Sequence, residues 1–197
     1  IDIETTGLDT SIDSIIEIGA IKVVNNSVES TFSSLVKPPA LEFDPEFDDC
    51  DFLFNSTGQK YYYIDSYITN LTHITNEMLD SAPEPQSVLK EFLDFISNDI
   101  LVGHNVNFDI NFLYDSILKY FNRELHNDFV DTLRLSRRLH KDLTHHRLAD
   151  MANYYQIDVP EAHRSLADCV TTNELFHRLQ DSMIEKYESS ENFTESI

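Results

Sequence analysis

Two carboxylates one residue apart, in the run Asp2-Ile3-Glu4-Thr5-Thr6-Gly7-Leu8, constrain this chain more than any other feature. On an extended strand, alternation sends both side chains to one face of a sheet, with Cα atoms about 6.6 Å apart. Neighbouring anions repel, and flexible carboxylate arms at that spacing can close around one hard, oxygen-seeking ion such as Mg²⁺ or Mn²⁺. Thr-Thr-Gly then reads as a tight turn leaving the strand, which places the pair at the mouth of a sheet, where α/β proteins bind ligands. The plainer alternative is a solvated strand end at which Gly7 only turns the chain.

Two later segments favour the metal. Gly103-His104-Asn105-Val106-Asn107-Phe108-Asp109 follows a short apolar run, and Phe108, Phe112, Leu113, Ile117 and Phe121 then recur at helical spacing. This predicts a strand, a turn and a helix whose first turn carries Asp109. His163-Arg164-Ser165-Leu166-Ala167-Asp168 opens another helix, with an apolar stripe expected from Leu166, Cys169, Val170, Phe176, Leu179 and Met183. Five helical residues rotate by about 140° net, so His163 and Asp168 cannot share a helix face. His163 is therefore expected in the preceding loop, free to turn toward Asp168.

With these three motifs in order, the chain resembles the DEDDh (DnaQ-like) 3′→5′ exonuclease family, which includes the proofreading exonuclease of bacterial DNA polymerase III. The likeness extends over nearly the whole chain, with supporting matches at Glu17-Ile18-Gly19-Ala20, Ile74-Thr75-Asn76-Glu77-Met78, Asp131-Thr132-Leu133 and Ser136-Arg137. It implies an α/β fold, a ribonuclease H-like mixed sheet flanked by helices, and release of nucleoside 5′-monophosphates from a 3′ end. It implies that Asp2, Glu4 and Asp168 hold one divalent cation, Mg²⁺ or Mn²⁺. Asp2 would also touch a second cation, Asp109 would complete that second site, and His163 would be the general base. Thr5, Thr6 and the backbone at Gly7 would contact the terminal nucleotide, Leu8 its base, and His104 would line the same pocket.

Independent chemistry agrees. Displacement at a phosphodiester is well served by two divalent ions that activate water and stabilise charged oxygens. Imidazole, titrating near neutral pH, suits a base. For Thr5 and Thr6 the competing role is to satisfy the turn's backbone groups, and for Leu8 it is core packing. Asn105 and Asn107 are expected to shape the turn rather than touch substrate. Arg164 would meet a phosphate or remain solvated. A glycosidase reading has little support, since two acids on one strand face do not flank a sugar bond. A non-catalytic module that keeps the fold and docks on a polymerase stands as the alternative of a different class, and RNA trimming as the alternative substrate.

Length and composition set the frame. At 41% hydrophobic, 197 residues suit one compact domain, read as a catalytic domain over 1–187 and a polar, frayed tail over 188–197. No apolar run approaches the ~20 residues that span a bilayer, and no signal-peptide pattern precedes the first motif. Cys50 and Cys169 form no disulfide framework, which points to a reducing, cytoplasmic setting. The expected partners are a single-stranded 3′ end of DNA or RNA and, in addition, a DNA polymerase.

Charge fits least easily, because 14 basic against 35 acidic residues leave −21, whereas nucleic-acid binders are locally basic. Seven of the fourteen cations fall between Lys119 and Arg147, so that segment is the candidate backbone contact, a solvated helical face being the alternative.

Strands are predicted over 1–5, 15–24 and 28–36, with Asn25-Asn26 turning a hairpin. One residue precedes Asp2, where the resembled family has several strand residues, so either the true N-terminus is missing from the sequence or the first strand is unusually short, and a truncated strand would hold its two acids loosely. An acidic, aromatic insertion is expected at about 40–66, either a rim hairpin whose aromatics stack on bases or a loop anchored on the core with solvated acids. A helix from Pro85, a strand at 100–102, the helix carrying Asp109, a strand at 129–131, and helices near 133–140, 146–156 and 165–186 complete the order.

Overall fold

In the computed structural model, residues 1–46, 48–159 and 164–194 are described, with side chains as far as 186. Strand β1 (Asp2–Thr5) pairs antiparallel with β2 (Ile15–Val24), which pairs antiparallel with β3 (Ser27–Leu35). Asn25 and Asn26 both adopt positive φ, 51° and 61°, and join Val24 to its cross-strand partner Ser27. Asparagine tolerates that region, and a two-residue turn with both φ values positive matches the twist of a hairpin.

One face of the sheet is mainly apolar. Ile1, Ile3, Ile18 and Ala20 pack against Val88, Leu89, Phe92 and Ile96 of α3 (Pro85–Ile96) and against Phe112, Leu113 and Ile117 of α4 (Asn107–Phe121). The parallel pair β7 (Leu101–Gly103) and β8 (Phe129–Asp131) lies beside β1. There the Ile1 nitrogen donates to Val102 O at 2.7 Å, and the Ile3 N–H donates to Asp109 Oδ1 at 3.0 Å. The first strand is not loose. It is tied to β2 on one side and to β7 and α4 on the other.

The acidic, aromatic segment forms a small antiparallel sheet of β4 (Leu41–Glu42), β5 (Leu53–Phe54) and β6 (Lys60–Tyr62), in the order β4-β6-β5. Its aromatics mostly meet one another and a cation: Phe43 and Phe52 centroids lie 4.5 Å apart, and Lys60 Nζ lies 4.1 Å from the Phe52 ring centre. The segment is anchored, because Tyr63 and Ile64 are buried with Ile16, with Ile68 of α1 (Ser66–Thr72), with Ile74, and with Leu79 of α2 (Asn76–Asp80). Buried Asn76 makes the clamp: its Oδ1 accepts from Tyr63 N and Ile64 N, and its Nδ2 donates to Asp51 O and Ile64 O.

Helices α5 (Thr132–Leu139) and α6 (Leu148–Tyr155) pack on α7 (Ser165–Thr194) around Met151, Leu175 and Leu179. One position of the predicted α7 stripe is wrong: Val170 is exposed, and Thr171, Thr172 and Leu175 are buried in its place. The helix is packed on two sides, by the sheet and by the α5–α6 pair, so its buried surface is wider than one stripe and admits threonines. Thr171 donates back to Ala167 O, which satisfies its hydroxyl. The α7 backbone also continues as helix past 188, where a frayed tail is expected.

Candidate active site

Alternation along β1 works as the sequence predicts. Ile1, Ile3 and Thr5 are buried, while Asp2 and Glu4 turn to the opposite face and remain half-buried. That face is covered by the start of α7. Asp2, Glu4 and Asp168 each offer a carboxylate oxygen, and the three atoms lie within 4.8 Å of one another. Asp109 stands behind them, buried on the first turn of α4, with one oxygen committed to the Ile3 N–H.

Asp168 reaches this position because α7 is fixed onto β2. Glu17, cross-strand from Glu4 and 2% exposed, accepts from Arg164 Nη2 at 2.7 Å and Nε at 3.2 Å, and from the Ser165 backbone N–H at 3.0 Å. One carboxylate thus satisfies the helix start and is neutralised by the guanidinium just before it. At Gly19 a Cβ would lie 2.5 Å from Ser165 C and 2.6 Å from Leu166 N, so only glycine admits the helix backbone this close. Arg164 is therefore paired with Glu17, with a third of its side chain exposed. Neither the role of Glu17 nor that of Gly19 could be read locally, and the only signal for them was the Glu-Ile-Gly-Ala landmark.

The loop leaving β1 is equally bound. The Thr6 hydroxyl donates to Asp13 Oδ1 at 2.9 Å, the Asp9 N–H donates to Asp13 Oδ2 at 2.9 Å, and the Thr5 hydroxyl donates to Gly7 O at 2.6 Å. A Cβ on Gly7 would fall 2.4 Å from Asp13 Oδ2. The turn-satisfying role of both threonines is thus on view. Leu8 is 86% exposed, which removes core packing and leaves its side chain in solvent.

His104 sits in a polar relay. His146 O accepts and cannot donate, so the 2.8 Å contact places the proton on His104 Nε2, while Nδ1 lies 2.9 Å from the Thr132 hydroxyl, which also donates to Gly103 O at 3.1 Å. Burial holds His104 below its usual range, consistent with a neutral ring. His146 Nδ1 in turn meets the Ser136 hydroxyl at 3.1 Å. Asn105 shapes the turn at φ 63°, its N–H held by Asp131 Oδ1 at 2.9 Å. His163 lies outside the described residues.

Electrostatics mark the carboxylates as a cation site. Burial raises Asp2 well above the carboxylate range, helped by the charges of Asp109, Glu4 and Asp168. Burial, then Asp168 and Glu17, push Glu4 up to about 8. Burial also pushes Asp109 up to about 7. Converging oxygen donors of this kind fit a hard divalent ion, whose charge would offset the repulsion. A cavity of about 780 Å³ lies elsewhere, between the edge of β2 past Ala20, residues 98–102 and the Cys169 face of α7.

The chain belongs to the exonuclease family, whose model (RNase_T, exonuclease) matches residues 1–48 and 39–176. It is 35% identical over 184 residues to a DNA polymerase III of PolC type from Caldanaerobacter subterraneus subsp. tengcongensis, covering 93% of this chain and 12% of that protein. To the DNA polymerase III subunit epsilon of Aquifex aeolicus it is 30% identical over 187 residues, covering 95% of this chain and 82% of that subunit. The chain therefore spans about an eighth of the PolC-type relatives and most of the epsilon subunit. In fold it matches the nuclease domain of 3′hExo, a DEDDh family member solved with rAMP, with a TM-score of 0.68 at 19% identity over 92% of this chain and 90% of that one. The ribonuclease H-like mixed α/β fold is the one found. Among the described residues no helix is long and apolar enough to cross a membrane.

Proposed function

We propose that this domain hydrolyses single-stranded DNA from its 3′ end in a proofreading role, releasing nucleoside 5′-monophosphates with two Mg²⁺ or Mn²⁺ ions. The observation that carries this reading is the meeting of Asp2, Glu4 and Asp168 oxygens within 4.8 Å, contributed by a strand and a helix from opposite ends of the chain. These three residues would hold one ion, and Asp2 with Asp109 the second. Bound there, such ions would supply the Lewis acidity that lowers the pKa of water and offsets phosphate charge.

The chain's own groups do the rest. Arg164 and Glu17 keep Asp168 in place. The rigid Asp13-braced loop presents the Gly7 backbone, Thr5, Thr6 and the free Leu8 side chain to the terminal nucleotide. Neutral His104, locked by Thr132 and His146 O, would shape the pocket without adding charge. His163, one residue before Arg164, would take the proton from water. The preference for DNA rests on relatives that are DNA polymerase III components, and a polymerase is the natural protein partner. The two cysteines, both free, suit a reducing cytoplasm.

The test is digestion of matched 5′-labelled DNA and RNA oligonucleotides with Mg²⁺ or Mn²⁺, beside EDTA, Asp168→Ala and His163→Ala controls. A ladder shortening from the 3′ end, lost in all three controls and faster on DNA, is expected. Intact oligonucleotides with every metal would sink the enzyme in favour of a docking module, and faster loss of RNA would move the substrate.

A further inference from the structure

We propose that the exposed face made by Arg134, Arg137 and Arg138 of α5, continued by Lys141 and Arg147 in the loop beyond it, is the track along which the phosphates of the single strand run behind its 3′ end. This inference rests on the exonuclease reading and adds to it the surface that grips the strand.

Charge distribution points there first. From Thr132 to Ala149 the chain holds five cations and one acid, Asp142, although acids outnumber bases 35 to 14 overall. All five cations are exposed, while Leu135 and Leu139 turn inward onto the Met151, Leu175 and Leu179 cluster. Arg134, Arg137 and Arg138 stand at i, i+3 and i+4 and so share one side of the helix.

Pairing separates this face from four of the protein's nine other cations. Lys22, Lys37, Lys90 and Arg164 each close on a carboxylate, at 2.8, 3.4, 2.9 and 2.7 Å. Within the face only Arg134 has such a partner, Asp131 at 3.6 Å, and among the described residues no salt bridge involves Arg137, Arg138, Lys141 or Arg147. Cations left without partners in so acidic a chain are available to an external polyanion. The macrodipole at the end of α5 accounts for Arg137 and Arg138, but not for Lys141 and Arg147, which lie outside the helix.

Position completes the case. The start of α5 follows β8, whose Asp131 is the cross-strand partner of Gly103, and Asp131 also holds the Asn105 N–H that opens the Asp109 segment. The loop after α5 is fixed to the same segment through His104 Nε2 and His146 O at 2.8 Å. Both ends of the face are thus tied to the Gly103–Asn105 segment that leads into the helix carrying Asp109. A strand held there by a few phosphates needs a footprint of only about 4–6 nucleotides, within the range for single-strand grooves.

The experiment is initial-rate digestion of a dinucleotide, a hexanucleotide and an oligonucleotide of about 20 residues over a KCl series, with Arg137→Gln/Arg138→Gln/Lys141→Gln beside the unaltered protein. The expected penalty grows with length. KM on the long strand should rise about tenfold or more, and the slope of log KM against log salt should become shallower by about 2, since each lost single-strand phosphate contact is worth about 0.7. Arg137→Lys/Arg138→Lys, which keeps the charge, should stay near the parent. Lys141→Gln/Arg147→Gln, outside the helix, should show a smaller loss of the same kind and carries the test if the triple variant is unstable. An equal effect at every length, or an unchanged salt slope, overturns the track. If the unaltered protein digests nothing, the exonuclease reading fails instead, and the salt slope of oligonucleotide binding to Asp168→Ala still decides the face.

Discussion

Arg164 and Glu17, 147 positions apart in sequence, meet at 2.7 Å on the covered face of β2, and that contact sets the helix carrying Asp168 against the strand carrying Asp2 and Glu4. Arg164→Ala leaves a buried carboxylate uncompensated, which costs about 3–5 kcal/mol when both partners are dry. With the guanidinium one-third exposed, the lower end, about 3 kcal/mol, is expected from urea unfolding. Glu17→Gln/Arg164→Gln should recover much of it. If both variants unfold with the parent's midpoint, the pair has no structural role.

Gly19→Ala tests the close approach directly. The added methyl meets backbone atoms of Ser165 and Leu166, not the flexible end of a side chain, so α7 must move. Overpacking of this kind costs about 1–3 kcal/mol, and a shift of about 1 Å at a catalytic group can remove about a hundredfold of rate. Nuclease activity should fall further than stability suggests. Parent-like kcat would show that Asp168 tolerates displacement.

The carboxylates give metal-free protein an inverted pH profile. The Glu4 pKa, pushed up to about 8 from 4.5, lies above its unfolded value, so the native state binds the extra proton between the two. Stability then falls as pH rises through that window; Asp2 and Asp109, also raised, act in the same direction. His104, held low, works oppositely around its own range, so the comparison is with Glu4→Gln. Melting temperature in EDTA should drop from pH 5 to pH 8.5 in the parent and drop less in Glu4→Gln. Mg²⁺ should restore the parent most strongly at the alkaline end, by about 2.7 kcal/mol at a hundredfold excess over Kd. A profile identical in parent and variant would refute the coupling.

Thr132→Val removes the hydroxyl that lies between His104 Nδ1 and Gly103 O while keeping shape. A buried acceptor left unsatisfied costs about 1–3 kcal/mol. By NMR the His104 ring should lose its fixed tautomer and titrate at a different pH from the parent. An unchanged titration would mean the relay does not govern the ring.

Much of this protein is local enough to be read from its sequence. Period-two burial at Ile1, Ile3 and Thr5 puts Asp2 and Glu4 on one face, Asn25-Asn26 specifies its own turn, and the apolar spacing from Val88 to Ile96 makes a helix, since each follows from neighbours within a few residues. The three acidic motifs, taken in order, named the family and the three carboxylates that meet within 4.8 Å. What tertiary structure alone decided are contacts between distant segments. Arg164 became the partner of Glu17, Leu8 was left outside the core, Val170 yielded to Leu175 on a helix packed from two sides, and the aromatics at 43–63 became an anchored small sheet. No periodicity encodes such pairings, because a buried charge, a glycine contact or a shared helix face is fixed only when two distant stretches of chain exclude the same water.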